Sequence, residues 1–193
     1  MKKTVAVIGS RGAIGNAVVD TLLDDESVEA VFKFSRAEIT EHDDKVKHIF
    51  IDIEDEESIK QATESLPEDT KFDLIFVATG ILHDEKNVFP EKSIKDISFD
   101  KLIKVLTINT IGPTLVGKYF IPYLRKDSKS TFAFLSARVG SISDNKLGGW
   151  YSYRASKTAL NQIIRNFSIE VARSNKNAIF IGLQPGTVSY THL

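Results

Sequence analysis

The chain has 193 residues, of which 42% are hydrophobic and 26% charged, with a formal net charge of −1 and no cysteine. This composition is typical of a soluble globular protein; it excludes disulfides and thiolate chemistry and gives no indication of a nucleic-acid partner. There is no apolar signal region and no apolar run of the ~20 residues that span a bilayer, so we expect a cytoplasmic protein without a membrane contact. We expect one domain over residues 1–193 and, since the four histidines are scattered, no metal site.

The first predicted element is a strand, Thr4–Ile8, followed by a glycine-rich turn and a helical pattern. The turn consists of Gly9, Ser10, Arg11, Gly12, Ala13, Ile14 and Gly15. A strand, such a turn and a helix favour a phosphate-binding loop, because glycines let the backbone approach a pyrophosphate and the helix N-terminus supplies free N–H groups. A purely structural tight turn is the alternative.

A second strand is predicted at Val28–Ser35, and Arg36 follows it. Enzymes that bind NAD usually place an acid near this strand end to bind the ribose 2′-hydroxyl. Ser35 and Arg36 instead suit a 2′-phosphate through charge-assisted hydrogen bonds, with Arg11 as a second contact. The sequence therefore favours NADP (NADPH) over NAD. A solvated arginine at a strand end is the alternative for Arg36.

The third and fourth strands are predicted at Lys47–Ile51 and Phe72–Ala78. Asp52 and Ile53 follow the third strand, where ligands bind in a doubly wound sheet. Asp52 can accept a hydrogen bond from an adenine amino group, or cap the polar helix 56–66, or do both. The fourth strand ends in Ala78, Thr79 and Gly80, whose small size lets the backbone pass close to a ribose.

A polar loop, Ile81–Ile97, leads to a long helix predicted at Phe99–Leu124. Pro113 predicts a kink near Asn109, because proline lacks the N–H of the helical ladder. A buried Asn109 must be hydrogen-bonded, either as a structural link between helix and sheet or as a site residue. The helix is apolar enough for a homodimer or homotetramer, although an ordinary core helix has the same pattern.

Tyr153 and Lys157 begin a segment whose apolar residues recur at helical spacing. Residues four apart lie on one face of a helix, so the phenol and the ammonium are expected to be neighbours. The ammonium favours the phenolate, and a phenol with a lowered pKa can exchange a proton with a carbonyl or an alcohol. An isolated match to this spacing is more often a half-buried tyrosine beside a solvated lysine.

Two more strands, Thr131–Leu135 and Ala178–Leu183, complete six strands that alternate with helices. This alternation predicts an α/β, Rossmann-type doubly wound parallel sheet. The residues singled out above, together with Ser136–Gly140 and the turn after the sixth strand, follow strand C-termini and should converge on one edge of the sheet. That last turn contains Pro185, Gly186, Thr187 and Val188.

Taken together, these motifs resemble the short-chain dehydrogenase/reductase family from about Thr4 to Val188, and residues 137–142 with 148–157 are similar to the C-factor and Sniffer-like carbonyl reductases. The resemblance implies a nicotinamide-dependent enzyme acting on a small carbonyl or alcohol substrate. Tyr153 would be the proton donor, and Lys157 would lower its pKa and hold the nicotinamide ribose. Asn109 would bind a relay water, and the turn at residues 185–188 would contact the cofactor.

Two features depart from the family. Ala137 stands where the family usually has a serine that polarises the carbonyl, and Ser136 can replace it only if the strand has already turned. A turn residue at a strand end is the alternative for Ser136. The family also continues beyond the sixth strand with a loop, a helix and a last strand, so we expect a truncated chain.

Two rival functions remain open. A non-catalytic NADP-binding sensor or signalling protein on the same fold is favoured by Ala137 and disfavoured by the intact Tyr153–Lys157 pair. An epimerase or dehydratase of the nucleotide-sugar branch would need a substrate domain after the sixth strand.

Overall fold

A computed structural model describes residues 2–37, 44–84 and 88–186. These residues form a six-stranded sheet in which all neighbouring strands are parallel, in the order β3-β2-β1-β4-β5-β6. The strands are β1 Lys3–Ile8, β2 Val28–Ser35, β3 Val46–Phe50, β4 Leu74–Val77, β5 Ser130–Leu135 and β6 Ala178–Leu183. The predicted doubly wound parallel sheet is confirmed, with the strand order reversing between β1 and β4.

Five α-helices connect these strands within the described residues: α1 Ala13–Asp24, α2 Glu56–Glu64, α3 Phe99–Leu106, α4 Gly112–Phe120 and α5 Tyr151–Val171. Short 3-10 helices lie at Ile94–Asp96, Ile121–Tyr123 and Arg138–Gly140. In the part of the chain that the structure describes, no helix is both long and apolar enough to cross a membrane.

The segment predicted as one helix over Phe99–Leu124 is instead two helices with a π-helical turn, Thr107–Ile111, between them. Pro113 lies in the first turn of α4, where a missing N–H is tolerated, and the π turn takes up the mismatch with α3. The interruption falls at Asn109, where a proline kink was predicted, and it takes the form of a π-helical turn.

The two faces of the sheet carry separate apolar clusters. On one face Ala6 and Ile8 pack with residues of α2, α4 and α5, including an edge-to-face pair of Phe34 and Phe120 whose ring centroids are 5.1 Å apart. On the other face Val5 and Val7 pack with residues of α1. Successive side chains of β1 point to opposite faces of the sheet, so this strand contributes to both clusters. The helices thus cover both faces of the sheet, and the carboxyl ends of the strands lie together along one end of it.

Candidate active site

A cavity of about 470 Å³ lies at this carboxyl edge, around the point where the strand order reverses. It is lined by Gly9, Arg11, Gly12, Ser35, Arg36, Ala37, Ile51, Asp52, Ile53, Glu54, Ala78, Thr79, Gly80, Ile81 and Ile108. The structure therefore brings the glycine turn and the ends of the first four strands into one site. The parts of the turn that do not line it are Ser10, Ala13, Ile14 and Gly15.

The glycine turn is packed too closely for side chains at two of its positions. A Cβ on Gly9, whose φ is 81°, would lie 2.8 Å from Thr79 Cγ2, and a Cβ on Gly15 would overlap the carbonyl oxygen of Gly9. Ser10 is fully buried, and its hydroxyl donates to the carbonyl oxygen of Phe34 at 3.2 Å. Ser10 therefore fixes the turn against β2 and does not point into the cavity.

The start of α1 faces this turn without a side-chain cap. Gly12 is the N-cap residue, and the first turn of the helix contains no acidic residue. The N–H groups of a first helical turn have no partner within the helix, and the helix dipole makes this end positive. This end of the cavity is therefore suited to an anion such as a pyrophosphate.

Two further residues define the polar wall of the cavity. The hydroxyl oxygen of Thr79 is buried and has no hydrogen-bond partner among residues 2–37, 44–84 and 88–186. Asp52 lines the cavity and accepts a hydrogen bond from the N–H of Glu54 at 3.0 Å. The alternative that Asp52 caps α2 is wrong, because that helix begins at Glu56 and its N-cap is Asp55.

Arg36 lies at the cavity beside an acid that the sequence analysis did not identify. Its guanidinium Nη1 is 4.0 Å from Oε1 of Glu54, and Lys104 on α3 lies 2.7 Å from Oε2 of the same carboxylate. The Arg36 side chain is 69% exposed, so it is free to reorient. Glu54 comes directly after Asp52 and Ile53. Its position just beyond the C-terminal end of β3 was the sequence signal that it could line the cavity.

Lys157 is a buried cation next to this cavity. Its side chain is 2% exposed, and Nζ donates to the carbonyl oxygen of Leu135 at 2.8 Å. Loss of hydration on burial lowers the pKa of Lys157 from 10.5 to about 8. Nζ lies 5.8 Å from the centroid of the Tyr153 ring, so the expected neighbourhood of the two side chains on α5 is confirmed.

Asn109 joins three parts of the site. Its side chain exchanges two hydrogen bonds with the backbone of Ile81, at 2.7 and 2.8 Å, and donates a third to the hydroxyl of Ser156 on α5 at 3.1 Å. The expected structural link is therefore present. Gly80 lies between this link and the lysine, because a Cβ there would be 3.3 Å from Lys157 Nζ and 3.4 Å from Asn109 Oδ1.

The remaining candidates lie elsewhere. The hydroxyl of Ser136 donates to Oδ1 of Asn161 at 2.6 Å, and Asn161 lies two turns of α5 beyond Tyr153. Pro185 and Gly186 are exposed and do not line the cavity. Thr187 and Val188 lie outside the described residues. The convergence on one cavity is thus seen for the first four strand ends and not for the last two.

Comparison with known proteins places this arrangement in context. Residues 3–193 match the family model of the short chain dehydrogenases. A 1-hydroxy-2-glutathionyl-2-methyl-3-butene dehydrogenase of Rhodococcus sp. (strain AD45) is 28% identical over 188 residues, which cover 96% of this chain and 78% of that protein.

Two solved structures show the same fold. Carbonyl reductase Sniffer of D. melanogaster superposes with a TM-score of 0.85 at 20% identity, over 98% of this chain and 82% of the other. An NADPH-bound carbonyl reductase from chicken fatty liver superposes with a TM-score of 0.82 at 24% identity, over 98% and 81% of the two chains.

Proposed function

Because the chain belongs to the short chain dehydrogenase family of oxidoreductases, we propose that it is an NADP-dependent enzyme that interconverts a carbonyl and an alcohol. The observation that carries the proposal is the position of Gly80. This residue lines the nucleotide-sized cavity and also lies against Lys157 and Asn109, so a cofactor in the cavity would reach the proton-transfer residues.

The cavity fits a dinucleotide phosphate on several grounds. Gly9 and Gly12 let a ligand approach the backbone, the uncapped start of α1 suits the pyrophosphate, and the orphan hydroxyl of Thr79 offers a polar contact. Asp52 and Ile53 line the part of the cavity where adenine would lie. The NADPH in the structurally similar chicken carbonyl reductase supports the same class of ligand here.

The preference for NADP rests on charge at the end of β2. Ser35 carries no charge that would repel a 2′-phosphate, and Arg11 and Arg36 both line the cavity. Glu54 opposes this preference, but the ammonium of Lys104 at 2.7 Å offsets its charge. With Asp52 included, three cations, Arg11, Arg36 and Lys104, stand against two acids, so the local balance is positive and favours the phosphate.

A bound nicotinamide would supply or accept the hydride, which is chemistry of the cofactor. The chain itself would supply the proton. In reduction, the hydroxyl of Tyr153 gives its proton to the carbonyl oxygen as that oxygen becomes negative, and in oxidation the phenolate accepts it. Lys157 favours the phenolate by charge, and the bond to Leu135 uses one of its three N–H donors among the described residues, so that the other two would serve ribose hydroxyls.

Asn109 supports this cluster by holding Ile81 and Ser156 in fixed positions. We propose that it also binds a relay water through its backbone carbonyl, since Pro113 lacks the N–H that would normally occupy that oxygen. Ser136 is retained as a candidate for carbonyl polarisation. It would need to release Asn161 to take that role. The cytoplasmic location and the homodimer or homotetramer stay predictions.

A titration with NADPH and NADH, followed by cofactor fluorescence, tests the cofactor. We expect NADPH to bind tightly and NADH weakly. A carbonyl panel then tests turnover in wild type, Tyr153→Phe and the matched control Tyr151→Phe. Tyr151 has Ala155, not lysine, four residues on. Tyr153→Phe should lose turnover and keep NADPH binding, whereas Tyr151→Phe should keep both.

Near-normal turnover in Tyr153→Phe would refute the mechanism. Tight NADPH binding by the wild type with no turnover on a broad aldehyde and ketone panel would instead support the non-catalytic sensor, which Ala137 favours. Equal affinity for the two cofactors would refute the assignment of Arg36 and leave the reaction class untouched.

A further inference from the structure

The loop between β4 and α3 contains a buried acid that neither the cavity nor the proton-transfer cluster accounts for. Glu91 is 1% exposed and is the one acidic side chain that is buried within the described residues. None of the ion pairs among those residues involves it. A carboxylate without a cation is costly to bury unless it accepts strong hydrogen bonds.

Within the described part of the chain, the hydrogen bonds to Glu91 come from the beginning of α5 and from its N-cap residue. Its carboxylate accepts from the hydroxyl of Ser152 and from the backbone N–H of Ser152, the latter at 3.3 Å. Its backbone carbonyl accepts from the N–H of Trp150 at 2.6 Å. One residue of a distant loop therefore binds both the N-cap residue, Trp150, and the second residue, Ser152, of the helix that carries Tyr153.

The helix needs this acceptor because it has no cap of its own. Trp150 occupies the N-cap position with a left-handed backbone, φ 52°, and makes no side-chain capping bond, and the first turn contains no acid. An N-cap side chain normally accepts from the second or third helical N–H, and Ser152 is the second. A negative charge at this end is also favoured by the helix dipole.

We propose that Glu91 is a positioning residue for Tyr153, acting as an N-cap supplied from the loop. Tyr153 is the third residue of α5 and belongs to the capped turn, whereas Lys157 lies one turn further and is held separately by Leu135. Loss of the cap loosens the phenol and leaves the ammonium in place. Trp150, whose ring centroid is 6.3 Å from that of Tyr153, is released with it.

The proposal rests on the role of Tyr153 proposed above, and two measurements separate them. Glu91→Gln keeps the volume and removes the charge; Asp55→Asn is the matched control, because it makes the same change at the N-cap of α2. The first measurement is kcat, KM and the NADPH Kd. The second is acrylamide quenching of Trp150, the one tryptophan of the chain, which needs no turnover.

In Glu91→Gln we expect kcat to fall about tenfold, which is the scale of losing a charged hydrogen bond. The NADPH Kd should stay within about twofold, since the cavity walls are other residues, and quenching of Trp150 should increase. Asp55→Asn should match wild type in all three quantities. Ser152→Ala removes one of the donors and should show a smaller change in the same direction, which provides a second variant if Glu91→Gln does not fold.

Unchanged kcat and unchanged quenching in Glu91→Gln would overturn the proposal. So would an equal loss of kcat and of NADPH affinity in a Glu91→Gln variant that is folded by circular dichroism, because that pattern shows an effect that is not confined to Tyr153. If the wild type has no turnover, the proposed function fails, while increased quenching in Glu91→Gln alone still supports the positioning of the helix start.

Discussion

The buried ammonium of Lys157 should make the free protein less stable than a variant that cannot be charged there. Burial lowers the pKa of Lys157 from 10.5 to about 8, and each pH unit of that difference corresponds to about 1.4 kcal/mol. Below pH 8 the charged form thus costs about 3 kcal/mol of folding free energy. Lys157→Met removes this cost but leaves the carbonyl of Leu135 without its donor, a loss of about 1 kcal/mol. We expect the variant to be about 2 kcal/mol more stable at pH 7 and inactive.

The dependence on pH provides the sharper test. Between pH 8 and 10.5 the unfolded chain keeps a proton on Lys157 that the folded chain has lost, so the stability of the wild type should rise with pH. The advantage of Lys157→Met should therefore disappear by about pH 10, as measured by urea unfolding at several pH values. Lys176→Met, at an exposed lysine, is the control and should show no such trend. A stability difference between Lys157→Met and wild type that does not change with pH would refute the reasoning.

Other substitutions test the cavity. Arg36→Ala should raise the NADPH Kd by about ten- to a hundredfold and leave the NADH Kd unchanged, whereas Glu54→Gln should tighten NADPH binding by about two- to fivefold. Fluorescence titration measures both effects. If Arg36→Ala weakened the binding of NADPH and NADH equally, the 2′-phosphate contact would be contradicted. Gly15→Ala should lower the unfolding free energy by about 1–3 kcal/mol because its Cβ overlaps the carbonyl of Gly9, while Gly12→Ala, with its nearest contact at 3.4 Å, should cost less than about 1 kcal/mol in urea unfolding.

The sheet and the cavity could be predicted from sequence because their signals are local. Apolar runs marked the strands, and parallel strands place their C-termini on one edge, so Gly9, Arg36, Asp52 and Gly80 were expected together and line one cavity. The limits of the elements were less exact. One long helix was predicted over Phe99–Leu124 because the apolar face is continuous there. The structure instead has a π turn, after which a new helix begins with Pro113 in its first turn.

Contacts between distant segments were not predictable in this way. Glu91 lies in a polar, aperiodic loop, where a glutamate is normally solvated, and its partner Ser152 is 61 residues away. A local clue was present at the other end, because the residues before Tyr151 offer no capping side chain and a helix start must find an acceptor elsewhere. Ser136 is a second case, since the partner of its hydroxyl is Asn161, which is 25 residues away on α5.

The double hydrogen bond between Asn109 and Ile81 has a consequence for how this protein can change during evolution or design. It closes the excursion between β4 and α4 at its base, so the spacing of Gly80, Asn109 and Lys157 is set independently of most residues in between. We expect substitutions at the exposed positions between Gly80 and Asn109 to leave this spacing unchanged, provided that Glu91 keeps its place. The geometry around Lys157 can therefore be kept while the surface of this excursion changes.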